Sequence, residues 1–524
     1  MASLKRLGLS PLRHLRTTLP IHSPRNLHRR LTPAHHLPLP RSYSHTPTSS
    51  SQLTQTFAPV ITQTPVFSAD PAQITILDLP ADFYKAIEEG IRTAKKRIVL
   101  ASLYLGAGEG RVATALHAAL TRNPALRVHI LLDYFRGTRG STNSITLLSP
   151  LLAAFPTRVT LSLYHTPAVG AVIKRIVPPR FIEGFGLQHM KVYAFDGDVI
   201  LSGANLNTDY FVNRQDRYIR FGDAPGLADY YSDLVHTVAG VSYTVQSPTE
   251  LVPPCAHPSD PARLDTKTLR IRAAAAVGAF TQRWFDATAP LRTAVLDARE
   301  ATTSSTRIPD TLVLPVVQMA QLGITQEQGI LTTLLTTLGS TRTSPRWNIA
   351  LSSGYLNFPA AILNLILDSR ARFAILTAAP QANGFFGSKG VSRHLPAAYT
   401  HLEKKLLRLA THSGRAEAVT VNEWRKDAWT FHAKGLWCTP PADTEPVLTV
   451  IGSSNFGYRS LYRDVEAQAV VVTSNPALRA KMQKNLDMLW SHSHPVTRHH
   501  LETDPERTVH PGVALATRVI RSML

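Results

Sequence analysis

The chain has 524 residues, of which 44% are hydrophobic, so it is too long for one ordinary core and suits two domains or two similar halves. Its formal net charge of +20 at pH 7 favours anionic partners, namely phosphorylated substrates, anionic lipid surfaces or nucleic acid. Two cysteines, Cys255 and Cys438, exclude a disulfide framework, and the lack of a run of about 18 apolar residues argues for peripheral membrane contact.

The N-terminal stretch has the pattern of a mitochondrial transit peptide. No acidic residue precedes Asp70, Ser and Thr are frequent, and eight basic residues occur: Lys5, Arg6, Arg13, Arg16, Arg25, Arg29, Arg30 and Arg41. This pattern predicts a presequence at residues 1–43, cleaved after Tyr43, with a disordered basic tail as the alternative. Residues 44–73, rich in Ser, Thr and Pro, are predicted to be a disordered linker.

From about residue 74, helical and apolar strand patterns alternate. A helix is expected at 81–96 and a buried strand at 97–105, followed by a helix at 112–119 and a strand at 126–134. This alternation predicts an α/β fold with a mostly parallel sheet flanked by helices.

The second part of the chain repeats the first. The strand patterns recur at 347–356 and 371–379, and three pairs of residues are separated by the same interval of about 250 positions: Tyr104 and Tyr355, Asn205 and Asn455, Asp216 and Glu466. A shared interval indicates internal duplication. The predicted organisation is a first half at 74–241, a connection at 242–310, a second half at 311–494, and an appendage with a short helix at 495–524.

The first half contains a cluster of residues suited to phosphate chemistry. His189 and Lys191 are two positions apart and lie on the same face of a strand. Asp196-Gly197 predicts a two-residue hairpin turn, and the returning strand brings Asn205 back toward His189.

The second half contains the same cluster. His432 and Lys434 have the same spacing, and a return through a longer, Pro-rich connection ends in Ser453 and Asn455. Lysine and amide groups can stabilise charge on phosphate oxygens in a transition state, so a metal is not required. A histidine can act as nucleophile or exchange a proton near neutral pH.

These two copies resemble the phospholipase D superfamily. The first copy matches its His-x-Lys-x4-Asp motif through His189, Lys191 and Asp196, whereas the second has Thr439 in place of the Asp. Further strings resemble the eukaryotic phosphatidylglycerophosphate synthase family: DYFRGTRG at 133–140, NRQDRY at 213–218, SLYLG at 102–106, LYHTP at 163–167, GLQHMKVY at 186–193, SGANLN at 202–207 and ANGFFGSKGVS at 382–392. The resemblance covers residues 74–490 and implies two phospholipase D-like halves with the active site at a pseudo-two-fold interface.

The resemblance implies transfer of a phosphatidyl group from CDP-diacylglycerol to glycerol 3-phosphate, which yields phosphatidylglycerophosphate and CMP at the head of the cardiolipin pathway. It implies a peripheral enzyme on the anionic, matrix-facing side of the mitochondrial inner membrane, with no cofactor, metal or nucleic acid. By analogy, His189 forms a phosphohistidine and His432 is the general acid and then the base, although the reverse assignment stays open. The catalytic set is His189, Lys191, Asp196, His432 and Lys434.

Other residues are assigned to binding and orientation. Asn205, Asn455 and Ser453 are expected to bind the substrate phosphate. Asp216 and Glu466 are expected to orient the histidines, with ordinary surface ion pairs to basic residues as the alternative. Arg136, Arg139 and Lys389 are expected to hold phosphates, or else they only solvate turns. Residues 168–181 mix apolar and basic side chains and are expected to enter the membrane interface, with ordinary packing as the alternative.

Three alternative functions remain at this point. A phosphodiesterase acting on DNA ends uses a related two-histidine site but predicts a basic, aromatic groove that the sequence lacks. A cardiolipin-forming transferase differs only in its acceptor. The alternative that is not an enzyme is an inactive, membrane-bound scaffold, since Thr439 interrupts the second motif.

Overall fold

The computed structural model describes residues 48–258, 260–298, 308–340, 346–441 and 443–524. The predicted transit peptide at 1–43 lies outside these residues. Within the described ranges, no helix combines the length and apolar character needed to cross a bilayer. Both cysteines are buried and unpaired.

The elements up to residue 252 build most of the first half. The strands in this range are β1 (Phe67–Ser68), β2 (Ile74–Leu77), β3 (Arg97–Ala101), β4 (Arg127–Asp133), β5 (Val159–Tyr164), β6 (Val192–Phe195), β7 (Asp198–Ser202), β8 (Arg214–Gln215), β9 (Tyr218–Phe221), β10 (Tyr243–Ser247) and β11 (Glu250–Val252). The helices are α1 (Ser50–Ile61), α2 (Pro80–Thr93), α3 (Gly110–Arg122), α4 (Tyr134–Gly137), α5 (Ser144–Ala154), α6 (Ala171–Ile176), α7 (Pro179–Ile182), α8 (Thr208–Val212) and α9 (Pro225–Ala239). The exceptions are β1, which pairs with the second sheet, and α1, which packs in the core of the second half.

The remaining elements form the connection, the second half and the tail. The strands are β12 (Ala256–His257), β13 (Asp260–Leu264), β14 (Thr311–Met319), β15 (Ile324–Thr325), β16 (Asn348–Ser352), β17 (Arg372–Ala378), β18 (Val419–Trp424), β19 (Thr430–Phe431), β20 (Gly435–Thr439), β21 (Leu448–Gly452), β22 (Glu466–Thr473) and β23 (Ser493–Val496). The helices are α10 (Thr266–Ala287), α11 (Ala289–Asp297), α12 (Gln326–Gly339), α13 (Ala360–Asp368), α14 (Leu395–His412), α15 (Tyr458–Tyr462), α16 (Pro476–Trp490), α17 (Arg498–Thr503) and α18 (Pro511–Ile520).

The predicted α/β class is confirmed, but the prediction that each sheet is mostly parallel is wrong. Among the described strands the first sheet has the order β11-β10-β5-β4-β3-β6-β7-β9-β2, in which only β3, β4 and β5 pair in parallel. The second sheet has the order β1-β14-β22-β21-β20-β16-β17-β18-β23, with parallel pairing only among β16, β17 and β18. The strand that follows each His-x-Lys element turns back through a hairpin in the middle of its sheet, and a tight hairpin joins antiparallel strands.

The two sheets share one order of corresponding strands. In the first sheet, β3 has the parallel strands β4 and β5 on one side and the hairpin of β6 and β7 on the other. In the second sheet, β16 has the parallel strands β17 and β18 on one side and the hairpin of β20 and β21 on the other. The turn of the first hairpin is Asp196-Gly197, as predicted, with Asp196 at a φ of 50°. One buried apolar cluster includes Val192 and Leu201 of the first sheet and Ile451 and Ala469 of the second, so the sheets pack against each other there.

The predicted disordered linker is corrected in its described part. Residues Ser50–Ile61 form α1, which begins with a capping box made by Ser49 and Gln52. Its apolar residues Leu53, Phe57 and Ile61 recur at helical spacing and are buried in the core of the second half. The high content of Ser, Thr and Pro concealed this stripe.

The predicted connection at 242–310 is corrected as well. Strand β10 pairs with β5 and therefore belongs to the first sheet. Helix α10, which follows β13, buries Leu269, Ala273, Val277 and Phe280 along one face, in the cluster shared with helix α9. This spacing of about one helical turn lies within an Ala-rich stretch, so the connecting region is a packed part of the fold.

Candidate active site

The two His-x-Lys elements lie where the halves meet. His189 and Lys191 directly precede β6, and His432 and Lys434 directly precede β20. The backbone of each histidine is hydrogen-bonded to the opposite half: His189 N–H donates to the Val465 carbonyl at 2.9 Å, and His432 N–H to the Gln215 carbonyl at 2.8 Å. The duplicated strands therefore place both imidazoles at one boundary.

Each imidazole is bound by a carboxylate from the other half. Nδ1 of His189 lies 2.9 Å and 3.1 Å from the two carboxylate oxygens of Glu466. Nδ1 of His432 lies 2.7 Å from Oδ2 of Asp216. An Nδ1–H that donates to a carboxylate fixes the tautomer and leaves Nε2 with its lone pair. Sequence reasoning paired these carboxylates with the histidines, but the crosswise arrangement was not predicted.

The two lysines are buried beside the histidines. The Lys191 ammonium donates to the His189 carbonyl at 2.7 Å, and the Lys434 ammonium lies 2.7 Å from Nδ1 of His432 and 3.7 Å from Asp216. Burial lowers the pKa of Lys191 to about 7 and also lowers the pKa of Lys434. A polyanionic ligand in contact with these ammonium groups would favour their charged forms.

Burial also shifts the other titratable groups of the site. It raises the pKa of Asp216 to about 6 and that of Glu466 to about 7. Burial, followed by the nearby lysine charge, lowers the pKa of His189 and His432 well below the usual value, so both imidazoles are neutral at pH 7 in the ligand-free protein. A neutral imidazole is the form that can act as a nucleophile.

Gly203 is required by the close approach of the two halves. A Cβ atom at this position would lie 2.5 Å from Oδ1 of Asp216 and 2.7 Å from Nζ of Lys434. The neighbouring Asn205 is buried, and its Oδ1 accepts a hydrogen bond from Leu103 N–H at 3.3 Å. Among the described residues, the buried Oδ1 of Asn455 has no hydrogen-bond partner.

Asp196 does not lie with the residues to which its motif assigned it. Its carboxylate accepts hydrogen bonds from the backbone N–H groups of Lys95, Lys96 and Arg97 at 2.7, 2.8 and 2.9 Å. It is at the far end of β6, seven residues after His189, which corresponds to about 23 Å of extended chain at the rise of a strand. The catalytic assignment is therefore corrected: Asp196 joins the end of α2 and the start of β3 to the hairpin turn.

The prediction that Ser453 binds the substrate phosphate is also corrected. Its hydroxyl donates to the carboxylate of Glu466 and accepts from Ala467 N–H at 3.2 Å. It therefore holds Glu466, which in turn holds His189, and it does not face an open position.

The predicted phosphate-binding cations differ in their surroundings. Arg136 lies 3.4 Å from Glu183 and 4.7 Å above the ring of Tyr104, and Arg139 pairs with the same Glu183. Lys389 is exposed on the loop after β17. The two arginines thus share one carboxylate near the first half of the site.

Several site residues were not singled out as such from the sequence. The rings of Tyr210 and Tyr355 flank His432 edge-on, with centroids at 5.2 and 5.5 Å. Asp133 is buried and accepts hydrogen bonds from Arg136 N–H and Gln188 N–H, both at 3.0 Å. Tyr355 was noticed only as a marker of the duplication, and Asp133 only within a family-like string.

One group of side chains has the composition of a metal site. Donor atoms of His189, Asp464 and Glu466 lie within 4.8 Å of one another. Asp464 already accepts from Leu187 N–H at 3.0 Å and from Arg459 at 3.0 Å, and Glu466 already binds His189. These contacts account for the three donors without an ion, and no metal role is assigned to them.

The segment predicted to enter the membrane interface forms a surface helix. Helix α6 has no buried residue, and Val172 and Ile176, one turn apart, are 70% and 74% exposed. An ordinary core-packing helix would bury such residues, so this face lacks a protein partner within the described part of the chain.

Two α/β halves that each contribute a histidine, a lysine and a carboxylate to one site define a phospholipase D-like enzyme. Among solved structures, phosphatidylserine synthase of Haemophilus influenzae has the same fold, with a TM-score of 0.64 and 20% identity over 91% of this chain and 100% of that one. No protein-family model matches the chain.

Comparison with characterised sequences is more specific. The mitochondrial CDP-diacylglycerol–glycerol-3-phosphate 3-phosphatidyltransferase of Homo sapiens is 38% identical over 475 residues, which cover 87% of this chain and 84% of that protein. The enzyme of the same name from Saccharomyces pastorianus is 37% identical over 87% of this chain and 89% of its own length. The chain belongs to the family of CDP-diacylglycerol–glycerol-3-phosphate 3-phosphatidyltransferases, which confirms the predicted resemblance.

Proposed function

We propose that the protein transfers a phosphatidyl group from CDP-diacylglycerol to the primary hydroxyl of glycerol 3-phosphate, which yields phosphatidylglycerophosphate and CMP. The observation that carries this proposal is the crosswise pair of hydrogen bonds, His189 to Glu466 and His432 to Asp216, around one buried site. Membership of the family named for this reaction supplies the two substrates.

The first step forms a covalent intermediate. Nε2 of His189 attacks the phosphatidyl phosphorus, the bond from that phosphorus to the bridging oxygen breaks, and CMP leaves. Glu466 stabilises the positive charge that develops on the ring of His189. Lys191 and Lys434 stabilise the negative charge on the phosphoryl oxygens.

The second step releases the lipid product. Nε2 of His432 takes the proton of the acceptor hydroxyl, whose oxygen attacks the phosphorus, and the bond between phosphorus and His189 breaks. In the first step His432 donates a proton to the departing CMP. Because its pKa is lowered in the ligand-free protein, His432 takes up that proton only when an anionic donor binds beside it and favours the charged form.

The protein acts at the matrix face of the mitochondrial inner membrane, as a peripheral enzyme. The acid-free, Arg-rich N-terminal stretch and the mitochondrial names of the animal relatives support the compartment. The exposed apolar face of α6, with Lys174 and Arg175 beside it, supports contact with an anionic lipid surface near the site.

The test uses the chain from residue 44 in detergent with CDP-diacylglycerol and labelled glycerol 3-phosphate. We expect labelled lipid and CMP in equal amounts, and loss of both products in His189→Ala. CMP without labelled lipid would replace the acceptor with water or another alcohol. Neither product from a folded protein would overturn the proposal, and cleavage of a DNA end would then assign the site to nucleic acid.

A further inference from the structure

The two halves carry the same ion pair with its charges exchanged. In the first half Arg214 lies 3.2 Å from Asp209, and in the second Arg459 lies 3.0 Å from Asp464. Asp209 and Arg459 are equivalent by the interval that relates Asn205 to Asn455, as are Arg214 and Asp464. The duplicated site therefore has two arginines at non-equivalent positions, one on each side.

Of these two arginines, Arg214 has the ion pair that a ligand can replace at the lower cost in free energy. The side chain of its partner Asp209 is 54% exposed, and such pairs contribute little to stability. The side chain of Asp464 is 4% exposed, and Arg459 donates in addition to the Glu183 carbonyl at 3.3 Å. Separating this buried pair would leave an uncompensated carboxylate.

The position of Arg214 is at the His432 side of the site. Its guanidinium lies 4.7 Å from the ring of Tyr210, which flanks His432. Its Nε donates to Thr430 at 2.9 Å, in the strand that leads into His432, and its side chain remains 16% exposed. The guanidinium is thus fixed at one edge and accessible at the other.

Gly384 lies beside this guanidinium. A Cβ atom at Gly384 would lie 3.0 Å from the Tyr355 hydroxyl and 3.6 Å from Nη2 of Arg214. Tyr355 is the second ring that flanks His432. A guanidinium and a phenolic hydroxyl therefore lie near one another beside the general base, and both groups bind phosphate oxygens.

We propose that Arg214 binds the phosphate of the acceptor and so selects glycerol 3-phosphate over uncharged alcohols. The inference rests on the proposed function, since it assigns the acceptor to the place vacated by CMP next to His432. Arg136 and Arg139, which lie together on Glu183, are left for the donor. Arg214 is a specificity-determining residue in this scheme, and it takes no part in proton transfer.

The test compares Arg214→Gln and Arg214→Lys with Asp209→Asn as the matched control, using glycerol 3-phosphate and then glycerol as acceptor. In Arg214→Gln we expect kcat/KM for glycerol 3-phosphate to fall about 100-fold, with kcat/KM for glycerol nearly unchanged, because a charge-assisted bidentate contact is lost. In Arg214→Lys the kcat/KM for glycerol 3-phosphate should fall about tenfold, since one point charge remains. Asp209→Asn removes the ion pair but keeps the guanidinium, so its KM for glycerol 3-phosphate should stay level or decrease.

Three results would overturn the proposal. An equal loss in Asp209→Asn and Arg214→Gln would mean that the ion pair only supports the fold. An equal loss for both acceptors would remove the link to the phosphate. A rise in KM for CDP-diacylglycerol alone would assign Arg214 to the phosphate of the donor. If the wild-type protein transfers to neither acceptor, the proposed function fails first, which is a distinct outcome; if Arg214→Gln does not fold, Arg214→Lys decides.

Discussion

At the scale of single residues, the crosswise carboxylates give the two histidines different tasks that kinetics can separate. CMP is a phosphate monoester and leaves readily even when proton donation by His432 is weakened, whereas the acceptor alcohol needs a base. In Asp216→Asn, which weakens the hold on His432, we expect a burst of CMP followed by turnover slowed about 100-fold. In Glu466→Gln, which weakens the nucleophile, the burst itself should be slow. Rapid-quench measurement of CMP distinguishes them, and identical traces would contradict the assignment.

The shifted pKa values predict a narrow pH optimum for kcat/KM. On the acid side Glu466 takes up a proton below about pH 7 and Asp216 below about pH 6, which weakens the hold on both histidines. On the alkaline side Lys191 loses its charge above about pH 7, so activity should fall on both sides. A bound anion raises the pKa of Lys191, so the alkaline limb of kcat should lie at higher pH than that of kcat/KM. Initial rates from pH 5 to 9 test this, and coincident alkaline limbs would count against Lys191 as the phosphate ligand.

Asp196 should matter for stability and not for chemistry. The backbone N–H groups of Lys95, Lys96 and Arg97 outweigh the effect of partial burial and hold the pKa of Asp196 below its usual value. Asp196→Asn is expected to cost about 1 to 2 kcal/mol of unfolding free energy, because one of the two acceptor oxygens is lost. Chemical denaturation measures this loss of unfolding free energy. We expect KM for both substrates to be unchanged in the same variant. A loss of kcat without a loss of stability would return Asp196 to the catalytic set.

Residue types and spacing revealed much of the site, but not its contacts. The repeated His-x-Lys spacing identified His189 and His432, and the shared interval of about 250 positions identified their carboxylates, because duplicated residues stay recognisable in sequence. Which carboxylate meets which imidazole depends on how the halves pack, and no local pattern encodes that. The motif predicts the position of Asp196 wrongly for the opposite reason: membership of a motif does not imply proximity, because a four-residue strand separates Asp196 from the site.

At the scale of elements, α6 is expected to anchor the protein to lipid. Val172→Glu combined with Ile176→Glu places two charges on its exposed apolar face and should reduce flotation with cardiolipin-containing vesicles at least fivefold, since apolar burial and attraction to anionic lipid are both weakened. The matched control is Thr114→Glu with Ala118→Glu, an exposed pair one turn apart on α3. Equal flotation of both variants and wild type would exclude α6 as the anchor.

Elements with strong periodicity were predicted well, and those in biased sequence were not. The helices and strands of the repeated units agree with their apolar patterns, since burial imposes those patterns directly. Helix α1 is not evident from the sequence because five of its 12 residues are Ser, Thr or Pro. Its fold also depends on a distant partner: Phe57 packs edge-on against Trp347 with ring centroids 5.9 Å apart. Strand direction was misjudged because the central hairpins, and not the helical crossovers, set most pairings.

At the scale of the whole molecule, the halves interlock through a buried cation. Arg217, next to Asp216, donates to the Val450 carbonyl at 2.7 Å and to Thr449 at 2.9 Å, and lies 3.9 Å from the ring of Trp437. Burial lowers its pKa to about 9. Neither half can offer this residue the same surroundings alone, so the two must fold against each other. The sequence indicated the duplication, but not this interlock, because Arg217 has no counterpart at Ala467.

A site completed across this boundary within one chain cannot be rebuilt by mixing two inactive chains. His189 needs Glu466 and His432 needs Asp216, and each pair is joined inside the same molecule. We therefore expect a mixture of His189→Ala and His432→Ala proteins to show no more lipid product than the two measured separately. Co-refolding the pair from denaturant is the informative control, since exchange of halves could then produce some intact sites. Activity that rises with simple mixing, and scales with the product of the two concentrations, would instead indicate a site formed between chains.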